Sequence, residues 1–267
     1  MSVSRHPVPQ LSDVQLVQLL SGFEGVELVQ LRFTVPALDH RSTVSALGMD
    51  PLDARIQQAY HFDTADLALE RHGVTVRARR LQDNDDEVAV DLRPAGPNDV
   101  PADLLRSPGF GLVVDVTPGG YSCGASLRAV PKTDVKGAVA GVHPPLKLCS
   151  KGQRALIASR MPQAVEVDEL SALGPVFGLR LRFAPPAPIR RMVADLWLYP
   201  GASAILELSV TCAPAEVVRT AGEGRALLAR HGVDLSGESH LKTRRALQFF
   251  AKRLMPQQIR SEARPRG

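Results

Sequence analysis

Residues 60–80, YHFDTADLALERHGVTVRARR, place three arginines within four positions at the end of a strand-like segment. Apolar and polar residues alternate over residues 74–79, and this period of two predicts a strand with one apolar face. Strand parity puts Arg77 and Arg79 on the polar face and Arg80 on the other. Two neighbouring cations on one face repel each other. The stretch therefore predicts an anion-binding pair, Arg77 and Arg79, and an ordinary surface residue, Arg80.

The same alternation recurs in five further segments, residues 28–35, 87–93, 176–183, 192–199 and 205–210. Few carboxylates share their polar faces, although a solvated surface normally mixes both signs of charge. A closed barrel accounts for the pattern, because its apolar faces pack outward under helices and its polar faces line a central tunnel. The arginines on these faces are Arg32, Arg77, Arg79, Arg93, Arg180 and Arg182.

Helix signals lie between the strands and favour an α+β fold. Ser150 and Gln153 form a capping-box pattern that predicts a helix to about residue 161. Pro214 and Gly232 suit the first turn and the end of another helix. Asp63 and Thr64 are expected to cap a short helix through Leu69. A last helix is predicted to begin at Ser239, with its apolar face formed by Leu247, Phe250 and Leu254.

Composition excludes several classes of function. The 267 residues carry a formal charge of +4 and only 4% aromatic residues, which argues against a surface that stacks nucleic-acid bases. No apolar run is long enough to span a membrane, and the N-terminal residues lack the apolar core of a signal peptide. The three scattered cysteines, Cys123, Cys149 and Cys212, fit free thiols in a reducing compartment. We therefore expect a cytoplasmic protein with no nucleic-acid or membrane partner.

Residues 60–80 resemble the signature of the CYTH superfamily of triphosphate tunnel proteins. In that signature an aromatic-Phe-Asp-Thr strand end leads through a short turn to a Gly-x-x-Arg-x-Arg strand. VQLRFTVP (29–36), EVAVDLRP (87–94), LELSV (206–210) and LKTRRAL (241–247) resemble further family segments. The resemblance implies a CYTH-like domain over residues 25–254, preceded by an extension (1–24) and followed by a basic tail (255–267) that we expect to be disordered.

The resemblance also implies an eight-stranded antiparallel barrel, with surrounding helices, whose tunnel binds triphosphate. The family includes thiamine triphosphatases, inorganic triphosphatases and class IV adenylyl cyclases, which use Mg²⁺ or Mn²⁺. Glu207 and Asp195 would then serve the metal, and Lys242 would approach the terminal phosphate or help to position the attacking water. Phosphate oxygens would be held by Arg32, Arg77, Arg79, Arg93, Arg180 and Arg182.

The first strand departs from the family pattern. The family reads Glu-x-Glu-x-Lys there, with acids that coordinate metal, whereas this chain has Leu28, Gln30 and Arg32. A neutral amide is a poor Mg²⁺ ligand compared with a carboxylate. Asp91 is a further candidate metal ligand, as a carboxylate that takes the place of the missing acid from another strand. Two hypotheses follow: a divalent-metal-dependent triphosphatase acting on an inorganic or organic triphosphate, or a catalytically degenerate module that binds polyphosphate or a nucleotide. Cyclisation of ATP is less favoured, because the sequence reveals no purine pocket.

Overall fold

Nine strands close into a barrel in the computed structural model, which describes residues 10–82, 85–161, 170–200, 203–235, 244 and 246–254. The order around the barrel is β1-β5-β6-β4-β3-β2-β7-β8-β9, and β9 pairs with β1 to close it. The strands are β1 (Val29–Val35), β2 (Arg55–Asp63), β3 (Val74–Leu81), β4 (Glu87–Leu92), β5 (Phe110–Thr117), β6 (Gly120–Ala129), β7 (Ser171–Phe183), β8 (Met192–Tyr199) and β9 (Ser203–Cys212).

The α+β class and the closed barrel are confirmed, but the prediction of eight antiparallel strands is wrong. β1 runs parallel to β5, with Val29 opposite Leu112, and the other neighbouring strands are antiparallel. In a closed ring with an odd number of strands the directions cannot alternate all the way round. At least one parallel pair is therefore required, and here it is β1–β5.

Helices cover the outside of this barrel. The α-helices are α1 (Asp13–Ser21), α2 (His40–Ala46), α3 (Ala68–Arg71), α4 (Val135–Val139), α5 (Lys151–Ala158) and α6 (Val217–Arg230), and residues 246–254 are also helical. The capping box of Ser150 and Gln153 is present at the start of α5, and Pro214 opens the turn that leads into α6. In the described part of the chain no helix is both long and apolar enough to cross a membrane. Ser239 lies outside the described residues.

The core lies between the outer face of the barrel and these helices. The alternate residues Val74, Val76 and Ala78 of β3 are fully buried there, as the period of two predicts. Helix α6 approaches β1 at Gly224, where an added Cβ would come within 2.3 Å of Phe33 Cζ. Only glycine fits this contact without displacing the ring. The apolar faces therefore pack outward, and the polar faces are left to the barrel interior.

The turn between β2 and β3 is fixed by the predicted cap. The carboxylate of Asp63 accepts hydrogen bonds from the backbone N–H groups of Thr64, Leu69 and Glu70 at 2.8, 2.8 and 2.9 Å. The Thr64 hydroxyl accepts one from the N–H of Ala68 at 2.8 Å. These bonds satisfy donors at the start of α3. They set the point at which β3 begins, and with it the register of the arginines that follow.

Candidate anion-binding tunnel

The barrel interior is strongly charged. Cross-strand pairs place Arg32 opposite Asp115, Arg79 opposite Glu87, and Arg180 opposite Asp195. Among the residues that the structure describes, eight arginines and six carboxylates share this inner face by strand parity. Two of them, Arg55 and Asp63, lie at the two ends of β2. We call the other twelve the tunnel residues: Arg32, Arg77, Arg79, Arg93, Arg128, Arg180 and Arg182, with Glu87, Asp91, Asp115, Asp195 and Glu207.

Asp195 is bonded to two side chains. Arg180 Nη1 lies 3.0 and 2.9 Å from its two oxygens, and Gln57 Nε2 donates to Oδ1 at 2.8 Å. Asp195 is buried, and charge-assisted bonds of this kind are about twice as strong as neutral ones. A ligand that competes for Asp195 must therefore displace both partners.

Asp115, on β5, bridges two tunnel arginines. Its carboxylate accepts from Arg32 Nε at 2.8 Å and from Arg93 Nη1. Burial disfavours the charge of Arg32, but the carboxylates of Asp115, Glu207 and Asp91 outweigh that effect and raise its pKa. Glu207 lies 4.0 Å from Arg32 Nη1. Arg32 is thus held as a cation among acids.

Arg79 has the opposite environment. Burial, followed by the positive charge of Arg77, lowers the pKa of Arg79 to about 10. Its guanidinium lies 3.2 Å from Glu87 and 5.7 Å from the ring centre of Trp197, a range in which cation–π attraction operates. Arg77 is 3.9 Å from Asp91. Arg80 points away from the tunnel and pairs with Asp86 at 3.4 Å.

The side chain of Gln30, which stands where the family pattern has a carboxylate, is hydrogen-bonded to an arginine. Its side-chain oxygen accepts from Arg128 Nη2 at 2.6 Å, and its amide donates to Ser209 Oγ at 3.2 Å. Burial lowers the pKa of Arg128. The first strand therefore presents a neutral amide whose acceptor already binds a cation.

The tunnel opens at the end where β1 begins and β7 and β9 end. A cavity of about 960 Å³ there is lined by Gln30 and by Arg128, Arg180, Arg182, Arg190 and Arg191, with no carboxylate among its described lining residues. A neighbouring cavity of about 500 Å³ shares Arg128, Arg180 and Arg182 and adds the acids Asp53, Asp85, Asp86 and Glu87. One side of the mouth is thus basic and the other mixed.

An apolar cluster lies deeper, inside the barrel. Ala59, Val176, Trp197 and Ile205 pack together on the inward faces of β2, β7, β8 and β9, toward the end opposite the mouth, and Phe250 packs against them. Arg79 stacks on Trp197 at the border of this cluster. A ligand that enters from the mouth therefore meets arginines first and an apolar floor beyond them.

Several tunnel donors lack an acceptor. Among the described residues, the buried Nε atoms of Arg77, Arg79 and Arg128 have no hydrogen-bond partner. At the mouth, Arg182, Arg190 and Arg191 make no ion pair or hydrogen bond with the part of the chain that the structure describes. Buried donors are rarely left unsatisfied without a reason, and a bound anion would supply the acceptors.

Solved structures share this architecture. A candidate adenylyl cyclase from Hippeastrum, which reveals a dominant triphosphatase activity, is 18% identical, and the match covers 79% of this chain and 90% of that one with a TM-score of 0.55. A candidate adenylate cyclase from Bacillus halodurans is 15% identical over 79% of this chain and 91% of that one, with a TM-score of 0.52. No protein-family model and no curated protein matches the sequence.

The chain shares the closed-barrel fold of these two proteins, as the CYTH resemblance implied. At these identities the likeness establishes the architecture, so the function must be argued from the tunnel residues themselves. All six arginines that the sequence assigned to phosphate binding face the barrel interior. Their role as phosphate ligands remains a prediction. Lys242 lies outside the described residues.

The metal that the CYTH resemblance implies finds no ready site. Asp195 and Glu207 lie directly opposite each other on β8 and β9. Each of the three predicted ligands, Asp195, Glu207 and Asp91, already has an arginine within 4.0 Å. Within the described ranges no group of three or more His, Cys, Asp or Glu side chains could hold a metal ion. Mg²⁺ needs a near-octahedral set of oxygens, and the residues as arranged do not fit it.

Three residues of the barrel interior were not predicted from the sequence. Arg128 and Asp115 lie on β6 and β5, two strands that were not predicted, and Gln57 lies in the first half of β2, which was also not predicted. The signal was available for Asp115, because Leu112, Val114 and Val116 alternate with it and are buried. The three cysteines are buried and unpaired, as predicted.

Proposed function

We propose that this protein binds the phosphate chain of a small-molecule triphosphate or polyphosphate inside its tunnel. The observation that carries the proposal is a set of tunnel arginines whose Nε–H donors have no acceptor in the described part of the chain, namely Arg77, Arg79 and Arg128. An arginine fork suits phosphate oxygens, and such charge-assisted bonds are strong. A linear polyanion is the ligand that can satisfy several of these donors at once.

The order of the arginines along the tunnel supports a chain rather than a single phosphate. Arg182, Arg190 and Arg191 line the mouth, and Arg128 and Arg180 line the same cavity. Arg79 lies further in, beside Trp197. A phosphate chain that enters at the mouth would thus meet successive donors along its length. Arg128 joins the six arginines predicted from the sequence as a proposed phosphate ligand.

Hydrolysis of the bound triphosphate is the second candidate. It is favoured by the triphosphatase activity of the Hippeastrum protein with this fold. Release of phosphate from tripolyphosphate with Mg²⁺ or Mn²⁺, abolished by Glu207→Ala, would establish it. Tight binding without release at any metal concentration would leave binding as the function.

A thermal-shift panel tests the proposal and ranks ligands. A ligand that binds only the folded protein raises the melting temperature as its concentration increases. The panel contains tripolyphosphate, long-chain polyphosphate, ATP and thiamine triphosphate, each with and without a divalent metal. We expect a concentration-dependent increase with at least one of them at modest ionic strength. No increase with any of the four would contradict the proposed function.

A further inference from the structure

We infer that the tunnel binds its phosphate chain without a divalent cation, and that Arg128, together with the arginines of the mouth, supplies the positive charge. This inference rests on the proposed function and names how that site neutralises its ligand. It disagrees with the Mg²⁺ or Mn²⁺ dependence that the family resemblance implies. Three independent features of the tunnel carry it.

The first feature is the wall formed by β1. Its inward positions nearest the mouth are Leu28 and Gln30, neither of which carries a charge. The side-chain oxygen of Gln30 accepts from Arg128 at 2.6 Å. Amide oxygens can join a metal site, but only beside carboxylates that balance the ion's charge. At this wall the cation in contact with the oxygen is a guanidinium that belongs to the chain.

The second feature is the state of the remaining carboxylates. Asp195 contacts Arg180 through both oxygens and also accepts from Gln57, and Asp115 accepts from Arg32 and Arg93. A metal ion would have to remove an arginine from a partly buried pair, which leaves that arginine's charge uncompensated. A phosphate chain can instead approach Arg77, Arg79 and Arg128, whose buried Nε donors have no acceptor among the described residues.

The third feature is the balance of charge. The described tunnel residues comprise seven arginines and five carboxylates, and the cavity at the mouth adds Arg190 and Arg191 without a carboxylate. A site that binds a divalent cation needs an excess of negative charge instead. The surplus of positive charge on the basic side of the mouth matches a polyanion that arrives free of metal.

Calorimetric titration of the full-length protein with tripolyphosphate tests the inference. One titration contains EDTA and the other contains saturating Mg²⁺. We expect binding in EDTA at least as tight as in Mg²⁺, since Mg²⁺ masks charges on the ligand. Binding that needs Mg²⁺, or that is more than about tenfold tighter with it, would overturn the inference while preserving the proposed function. Failure to bind under both conditions would instead remove the proposed function on which the inference rests.

Two variants test whether Arg128 contributes to binding without a metal. Gln30→Glu places a carboxylate against Arg128 and beside the ligand, so the affinity in EDTA should fall by about tenfold. Arg128→Gln should weaken binding in EDTA by a similar factor. Arg80→Gln, which removes an outward-facing arginine from β3, is the matched control and should bind as the parent does. An unchanged or higher affinity of Gln30→Glu in EDTA, with its melting temperature preserved, would contradict the assigned role of Arg128.

Discussion

Arg79 has the least favourable electrostatic environment of the tunnel arginines whose pKa shifts are resolved. It is 7% exposed, and burial together with the charge of Arg77 lowers its pKa to about 10. Glu87 at 3.2 Å compensates only in part. An anion beside Arg77 and Arg79 would relieve both the repulsion and the missing acceptors. The proposed function therefore explains the three arginines within residues 77–80 as two phosphate ligands, Arg77 and Arg79, and one outward-facing residue, Arg80.

Replacement of Arg79 should separate binding from stability. Arg79→Gln removes a cation that is poorly stabilised in the free protein, and the side chain of its partner Glu87 is 29% exposed. We expect a change in unfolding free energy of less than about 1 kcal/mol, measured by urea denaturation. Tripolyphosphate affinity, measured by calorimetry, should fall at least about tenfold. Normal affinity in a folded Arg79→Gln protein would remove Arg79 from the site.

His61 makes the folded protein sensitive to acid. It faces the tunnel opposite Arg77, and burial, followed by the positive charge of Arg77, lowers its pKa from 6.5 to about 3. The folded state therefore keeps His61 neutral while the unfolded state binds a proton. This contribution to stability is complete above the unfolded pKa and is lost progressively as the pH falls toward 3.

Replacement of His61 should remove that dependence. Between pH 7 and about pH 4.5 the parent protein should lose about 2–3 kcal/mol of unfolding free energy through His61. His61→Gln should lose correspondingly less over the same interval. Urea denaturation of both proteins at the two pH values gives the comparison. Equal losses would show that His61 is protonated in the folded state or is not buried.

At the scale of elements, the strands that were predicted from the sequence and those that were not differ in how clearly apolar and polar residues alternate. Strand β8 was predicted with its observed bounds, Met192–Tyr199, and β3 was recognised from its alternation. In contrast, β6 carries small residues, Gly124, Ala125 and Ser126, on both faces. Such a segment has little hydrophobic contrast, so periodicity does not reveal it. For this reason β6, and with it the position of Arg128 in the tunnel, was not predicted.

Helix α5 shows how one side chain can join a helix to the barrel. Gln153 closes the capping box by accepting from the N–H of Ser150 at 2.9 Å. Its amide also donates to the carbonyls of Val88 on β4 and Leu127 on β6, each at 2.9 Å. The box could be predicted from the local sequence. The two bonds to the strands could not, because they depend on a β4–β6 pairing that joins distant segments.

Loss of Gln153 should therefore cost more than loss of a helix cap. Gln153→Met leaves two buried carbonyls without this donor and opens the box, and should lower the unfolding free energy by about 2–4 kcal/mol. Lys151→Met, at an exposed position of the same helix, should change it by less than about 0.5 kcal/mol. Urea denaturation measures both. A cost no larger for Gln153→Met than for Lys151→Met would mean that α5 is not anchored through this amide.

At the scale of the whole molecule, the sequence was sufficient to predict a closed barrel and the positive charge of its interior. The period of two and the recurrence of arginine on the polar faces carry that information locally. The strand order, the parallel β1–β5 pair and the pairing of each carboxylate with an arginine are long-range properties. The metal role of Asp195 was predicted from the family resemblance. The barrel brings Arg180 to 2.9 Å from Asp195, a contact that the sequence alone does not reveal.

The fluorescence of Trp197 tests the central claim most directly. It is the only tryptophan of the chain, it is buried inside the barrel, and it lies 5.7 Å from Arg79. Tripolyphosphate that binds in the tunnel should change the emission of Trp197 saturably, at the same concentration that saturates the calorimetric titration, and Arg79→Gln should weaken both signals. Calorimetric binding without any change in Trp197 emission would place the ligand outside the tunnel, and absence of both signals would contradict the account.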